Sequence, residues 1–324
     1  MTNNLQELLD DIHAKLDTLT YGSEPKELYD PIQYIMSLGG KRLRPLLVLL
    51  AYRLFREDHK QILNQALAVE VFHNFTLVHD DIMDQAPLRR GKPTVHEKWN
   101  ESTAILSGDV MMVQAYDLLL DTKENLSEII RDFNRCAAGV CEGQQLDMNF
   151  EDLPTVEEAQ YIDMIRLKTA VLLGFSLKLG AMLAGAPQQE ADALYEFGVD
   201  IGIGFQLKDD LLDVYADQEK FGKQVGGDII SNKKTFLLLK ALALANPNQS
   251  KQLDHWISLT DFDPKEKVEA VKNIYEEIGI KELTLSKMND YFHQGFEALE
   301  RIEVPSDKKQ PLIDFTNYLI NRDR

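Results

Sequence analysis

The chain has 324 residues, 44% of them hydrophobic and 27% charged, which is enough to bury a substantial core and is unlike a disordered polymer. Its 53 acidic residues outnumber 35 basic ones. The net charge of −18 repels nucleic-acid phosphates and anionic membrane surfaces, so neither is an expected partner.

From the N-terminus onward, apolar residues recur at helical spacing in Leu5 to Leu19, Leu46 to Phe55, Ile62 to Val78, Ala104 to Leu120 and Leu126 to Val140, and so on to Tyr318. The opening MTNNLQELLDDIHAKL is acidic where a signal peptide requires a basic start and an apolar run, so no leader is expected. The only cysteines, Cys136 and Cys141, are too few for a disulfide framework and lack zinc spacing, which fits a reducing, cytoplasmic location. No segment shows the period-two alternation of a strand. Breaks fall at Gly39-Gly40, Pro87 to Pro93, Gly185 to Pro187, Gln218 to Asn232, Asn246 to Ser250 and Pro305 to Lys309. None is a long linker and no repeat stands out, so the pattern predicts a single all-α domain over residues 1–324. The most apolar stretch, Thr169 to Ala186, carries Lys178 and three glycines and reads as a buried helix rather than a stable membrane span. Gln218 to Lys234 mixes glycine, polar and charged residues without an apolar face and reads as a loop that orders on a ligand.

Two carboxylate clusters share one spacing. VHDDIMD carries Asp80, Asp81 and Asp84, and KDDLLDVYAD carries Asp209, Asp210 and Asp213, each at the end of an apolar helical stretch. Residues i and i+4 lie on one helix face, where like charges cost about 0.2–0.5 kcal/mol per pair unless a cation lies between them. A solvated acidic face is the plain reading of one such cluster. Two clusters on largely packed helices point instead to Mg²⁺, which takes oxygen ligands and shares its remaining positions with substrate phosphates. The six aspartates are therefore candidate metal residues.

Cationic clusters in so acidic a chain point the same way. They are Lys41, Arg42 and Arg44 in GGKRLRP, Arg89, Arg90 and Lys92 in LRRGKPT, then Lys168, Lys223 and Lys233. Arginine offers a planar fork to phosphate oxygens and lysine a point charge, and Gly39-Gly40 allows close backbone approach. His73 precedes Asp80 by two helical turns and shares its face.

In order and spacing, GGKRLRP, the histidine seven residues before DDxxD, RRGKPT, the Lys168-Thr169 pair, FQLKDDLLD, and then GK and GGDI…KKT resemble the trans-isoprenyl diphosphate synthases of the polyprenyl synthetase family. The resemblance covers about Leu38 to Thr235. It implies a homodimeric bundle of long helices around a central cleft, the type I isoprenoid synthase fold, with the two Asp motifs facing each other. It also implies three Mg²⁺ ions on an allylic diphosphate, with Asp80, Asp84 and Asp209 as ligands and Asp81, Asp210 and Asp213 supporting through waters or indirect contacts. Arg89, Lys168, Lys223 and Lys233, with Thr169 and Gln206, match the family's allylic-diphosphate residues. Lys41, Arg44, His73 and Arg90 match its metal-free isopentenyl diphosphate pocket, and Gln144 and Asp147 fall where it keeps polar residues.

The implied reaction is head-to-tail condensation of isopentenyl and allylic diphosphates. The allylic C–O bond ionises, the homoallylic double bond attacks the cation, and a proton is lost to the released diphosphate. In the family, bulky side chains four and five positions before the first Asp form a floor for the growing chain. Here these are Thr76 and Phe75, with Phe72 three residues further back. One aromatic rather than two favours a C20 product, geranylgeranyl diphosphate, over C15 farnesyl diphosphate, with a longer-chain polyprenyl diphosphate synthase as a further alternative; the other reading of Phe72 and Phe75 is as plain core residues. A terpene cyclase would lack the second DDxxD and the GGKRLRP island, and a non-catalytic synthase subunit would have lost one motif or its cations.

Overall fold

The computed structural model describes residues 3–216 and 226–321, and the regular elements among them are helices apart from one short hairpin. The chain falls into two units. The first comprises Met1–Arg135, Phe175–Tyr195 and Ile302–Ile313, and the second Cys136–Gly174, Glu196–Arg301 and Asp314–Arg324.

In the first unit α1 (Asn3–Asp17), α2 (Lys26–Ser37) and α3 (Leu43–Arg53) precede the central helix α4 (Leu63–Met83). Its first half is apolar nearly all round and accordingly buried, with Ala66, Leu67, Ala68, Val69, Val71 and Phe72 sealed from solvent. The hairpin that follows pairs Leu88 with Pro93 and Arg89 with Lys92. Two residues per strand are too few to leave a period-two trace in sequence. After the short α5 (Val95–Lys98), α6 (Glu101–Leu120) begins at Asn100, whose side chain accepts from the Thr103 N–H, and packs along α4. Among the described residues α6 is the one helix long and apolar enough to cross a membrane, with a third of its most apolar window buried. Ile105, Leu106, Val113 and Leu120 are exposed along it. The Thr169 to Ala186 stretch holds instead a mostly buried helix, Val171–Leu183.

The second unit takes the later part of α7 (Leu126–Asp152), then α8 (Glu158–Ile165), a π-turn over Arg166–Ala170 and the start of α9 (Val171–Leu183). It also takes most of α10 (Gln188–Tyr215) and the helices α11 (Gly227–Ile230), α12 (Phe236–Leu244), α13 (Pro247–Ser258), α14 (Pro264–Ile278) and α15 (Ile280–Glu300). The last helix, α16 (Ser306–Asn321), contributes its second half. Leu211, Val214, Ile229, Leu237, Leu253, Val271, Ile274 and Tyr275 form one core cluster here. α8 is fixed at its start by reciprocal hydrogen bonds between Glu157 and Gln160, and by Lys240 and Lys287 on Glu158 at 2.5 and 3.0 Å.

Two expected breaks carry more structure than composition implied. Asn246 to Ser250 is a helix start: Asn246 caps α13 and Pro247 takes the first helical position, where its missing N–H is not needed. Of the Gln218 to Lys234 stretch, residues 218–225, Lys223 among them, lie outside the described residues, and α11 forms one helical turn of the remainder. Lys267, buried to 1% exposure, fastens that turn by donating to Ile230 O at 3.2 Å and Asn232 Oδ1 at 2.7 Å.

Candidate active site

The two DDxxD motifs lie in the last two turns of long helices. Asp80 and Asp81 end α4 with Asp84 as its cap, and Asp209, Asp210 and Asp213 lie near the end of α10. The negative pole of the helix dipole is there, and neither helix has a basic residue of its own in its last turn. Carboxylates so placed are unfavourable until a cation from elsewhere neutralises them.

The first unit supplies Arg89 to Asp81. The Asp81 carboxylate, 1% exposed, accepts three hydrogen bonds from the Arg89 guanidinium at 2.6 to 2.9 Å. Asp80 is partly exposed and Asp84 exposed. Arg90 donates to Gly39 O, and its guanidinium lies against Gly40, where a Cβ would come within 3.1 Å of it. Gly40 therefore leaves room for the guanidinium, and its φ of +138° is one that a side chain would resist. Arg42 departs from its neighbours Lys41 and Arg44: it is buried against Glu70 at 2.5 Å and donates to Met36 O. Burial, then the positive charges of Arg44, Arg90, Arg89 and Arg42, hold the His73 imidazole well below its ordinary pKa of 6.5. Of these arginines, Arg42 is committed to Glu70 and Arg89 to Asp81, while Arg90 rests on the Gly39 carbonyl.

On α4, Thr76 donates to His73 O at 2.8 Å, and Phe75 stands between His79 and Phe72, ring centroids 4.8 and 5.6 Å away. Phe72 is fully buried and packs edge-on against Phe133 at 5.1 Å. Phe133 is a neighbour that sequence spacing could not reveal, because it comes from another helix.

In the second unit the middle aspartate has different company. Asp210 is 4% exposed, accepts from the buried Tyr161 hydroxyl, and accepts from Gln206 Nε2 at 3.2 Å. Burial and then the nearby Asp228 push its carboxyl up to about 7, and burial pushes Asp228 itself up to about 6. The Asp213 carboxylate accepts the Asp228 N–H at 2.9 Å, tying the end of α10 to α11. Asp209 is partly exposed. Lys168 and Thr169 ride on the π-turn, which closes with the Val171 N–H on Arg166 O. Lys168 Nζ meets Asp147 Oδ2 at 2.5 Å, and Thr169 Oγ1 donates to Gln206 Oε1 at 3.4 Å. Lys233 is exposed just beyond α11. Tyr161 and Asp228 have no sequence signal of their own: Tyr161 sits in an ordinary helical period, and Asp228 in a stretch that reads as loop.

Among the described residues no three carboxylates, imidazoles or thiols converge on one point. An ion here would draw on one or two carboxylates and complete its shell with water and substrate oxygens. That is the coordination Mg²⁺ favours, and the donor set is all oxygen, so these residues fit it.

The polyprenyl synthetase family profile matches residues 25–278. A short chain isoprenyl diphosphate synthase of Methanocaldococcus jannaschii is 41% identical over 259 residues, 78% of this chain and 79% of that protein. A geranylgeranyl diphosphate synthase of Methanosarcina mazei is 36% identical over 96% of this chain and 95% of its own. The crystal structure of a geranylgeranyl pyrophosphate synthase superposes with a TM-score of 0.94 at 42% identity, covering 99% of each chain. With its all-α fold, and with a family match that spans both carboxylate motifs, the chain belongs to the polyprenyl synthetase family.

Proposed function

We propose that this protein is a short-chain trans-prenyltransferase that condenses isopentenyl diphosphate with allylic diphosphates, with C20 geranylgeranyl diphosphate as the main product. The observation that carries the reading is Arg90 seated on the Gly39 carbonyl and against Gly40, which sets a guanidinium of the hairpin beside the GGKRLRP segment and offers a second anion a cationic site that needs no metal. A cyclase, which binds a single diphosphate, has no use for it.

Asp80, Asp84 and Asp209 are the direct metal ligands of this reading, for three Mg²⁺ ions on the allylic diphosphate. When bound, the metal supplies Lewis-acid neutralisation of the departing diphosphate. Asp81, Asp210 and Asp213 serve indirectly, being engaged by Arg89, by Tyr161 with Gln206, and by the Asp228 N–H. Arg89, Lys168, Lys233 and, outside the described residues, Lys223 stabilise charge on the leaving diphosphate, with Thr169 and Gln206 as hydrogen-bonding partners. Lys41, Arg44, Arg90 and His73 hold isopentenyl diphosphate, and neutral His73 keeps an N–H for a phosphate oxygen. Proton loss after condensation goes to the released diphosphate.

The enzyme acts in the cytoplasm as a single catalytic domain and a homodimer in this reading. Leu106, Val113 and Leu120 recur every seven residues on α6, each more than half exposed, a stripe suited to a second copy of the same helix.

Asp80→Ala and Asp209→Ala, assayed for condensation at saturating Mg²⁺, each lose about 10³-fold in turnover. Activity within a few-fold of wild type in either variant refutes the assignment. For product length, Phe75→Ala lengthens the products made from isopentenyl diphosphate and a C15 primer. An unchanged product profile places the floor elsewhere.

A further inference from the structure

We propose that the face of α7 bearing Gly143 and Asp147 is the ledge that positions Lys168, with Gly143 fixing where its backbone lies and Asp147 where its ammonium points. This rests on the reading of Lys168 as a cation for the allylic diphosphate, and it assigns the residues on which that cation's placement depends.

The π-turn Arg166–Ala170 inserts an extra residue into the run from α8 to α9, which rotates the side chains beyond it relative to a continuous α-helix. Such a turn loses regular i to i+4 bonds, and it persists only where the surroundings hold it. Gly143 is buried against it. A Cβ at Gly143 would lie 2.2 Å from Lys168 N, 2.6 Å from Lys168 Cα and 2.8 Å from the Leu167 carbonyl carbon. All three are backbone atoms, which cannot swing aside as a side-chain end can. One turn along the same face, Asp147 Oδ2 meets Lys168 Nζ at 2.5 Å. The two α7 residues thus grip Lys168 at its main chain and at the tip of its side chain.

Gly139, one turn earlier on that face, provides the internal control. A Cβ there would meet only Leu167 Cδ2 at 3.3 Å and Val171 Cγ2 at 3.7 Å, both side-chain ends free to adjust. Each Gly→Ala change gains similar helix propensity, so a difference between them reports the approach to the π-turn rather than the intrinsic stability of α7.

The test uses the full-length enzyme with Mg²⁺ and compares Gly143→Ala, Gly139→Ala, Asp147→Asn, Lys168→Ala and the double variant Gly143→Ala/Lys168→Ala. The expected result is a loss of about 10²-fold in kcat/KM for the allylic diphosphate in Gly143→Ala, with KM for isopentenyl diphosphate unchanged and Gly139→Ala near wild type. In the Lys168→Ala background Gly143→Ala adds little further loss, because its effect runs through that lysine. Asp147→Asn, nearly isosteric and free of any backbone displacement, raises KM for the allylic diphosphate and keeps the proposal testable if Gly143→Ala does not fold. Additive losses in the double variant, equal penalties at Gly139 and Gly143, or an Asp147→Asn enzyme with wild-type KM overturn the ledge. A Lys168→Ala enzyme with full activity refutes instead the underlying role of Lys168.

Discussion

Asp81 and Asp210 hold the same place in the same five-residue motif, yet the first unit surrounds its aspartate with a guanidinium and the second with a phenol and an amide. Asp81 is thereby engaged in an ion pair with Arg89. Asp210 is pushed toward its protonated form by burial and by Asp228. What the two share is position: both motifs lie within the last two turns of a helix, toward its negative pole, with no basic residue in the last turn. Identical spacing therefore secures a common demand for cations, while the packing around each motif decides how its middle aspartate is used.

The largest way to break this contrast is Asp81→Ala. It leaves the Arg89 guanidinium, about three-quarters buried, without its partner, at a cost of about 3 kcal/mol in stability measured by denaturant unfolding. Condensation activity falls with it as Arg89 loses its fixed orientation. Unfolding and activity both close to wild type would mean that the Asp81–Arg89 pair does not set the site.

Asp210 gives a pH signature of opposite origin. A carboxyl raised from 3.8 to about 7 contributes stability that is complete below 3.8 and lost as the pH rises through about 7. In metal-free protein Asp210→Asn removes that loss, so the variant's thermal midpoint at pH 8 exceeds that of wild type, and the gap closes toward pH 4. Equal midpoints at pH 8 would contradict the upward shift of the Asp210 carboxyl.

His73 sharpens the first unit in the smallest step. Its depressed pKa means the unfolded chain takes up the proton first, so the stability held above pH 6.5 declines as the pH falls below that value. His73→Gln flattens this acid limb of the unfolding midpoint against pH. An unchanged limb assigns the loss to other groups.

Much of the site could be read from the chain because helices turn linear spacing into a shared face. Asp80 with Asp84, Asp209 with Asp213, and His73 two turns ahead need only the pitch of one helix. The hairpin arginines and the Lys168-Thr169 pair were visible as charge in an acidic sequence, although that charge did not say that Arg42 turns inward to Glu70 while Arg90 lies on Gly39 and Gly40. Tyr161, Asp228 and Phe133 stayed hidden because each acts on a residue of another element, 18 to 61 positions distant in sequence. The single helical turn Gly227–Ile230 was masked by glycine and polar residues, and it is held by Lys267 from α14 and by Asp213 from α10.

By itself the sequence determined that the chain is helical, that two carboxylate clusters close two of its helices, and that cations gather where an anion should bind. Those features depend on residue type and on a period of 3.6, which are local quantities. Tertiary structure alone decided which aspartate is paired with an arginine, which has its carboxyl pushed up by burial, and where a π-turn can be held open against Gly143. Burial and close approach depend on what the rest of the chain brings alongside, and no local pattern carries that.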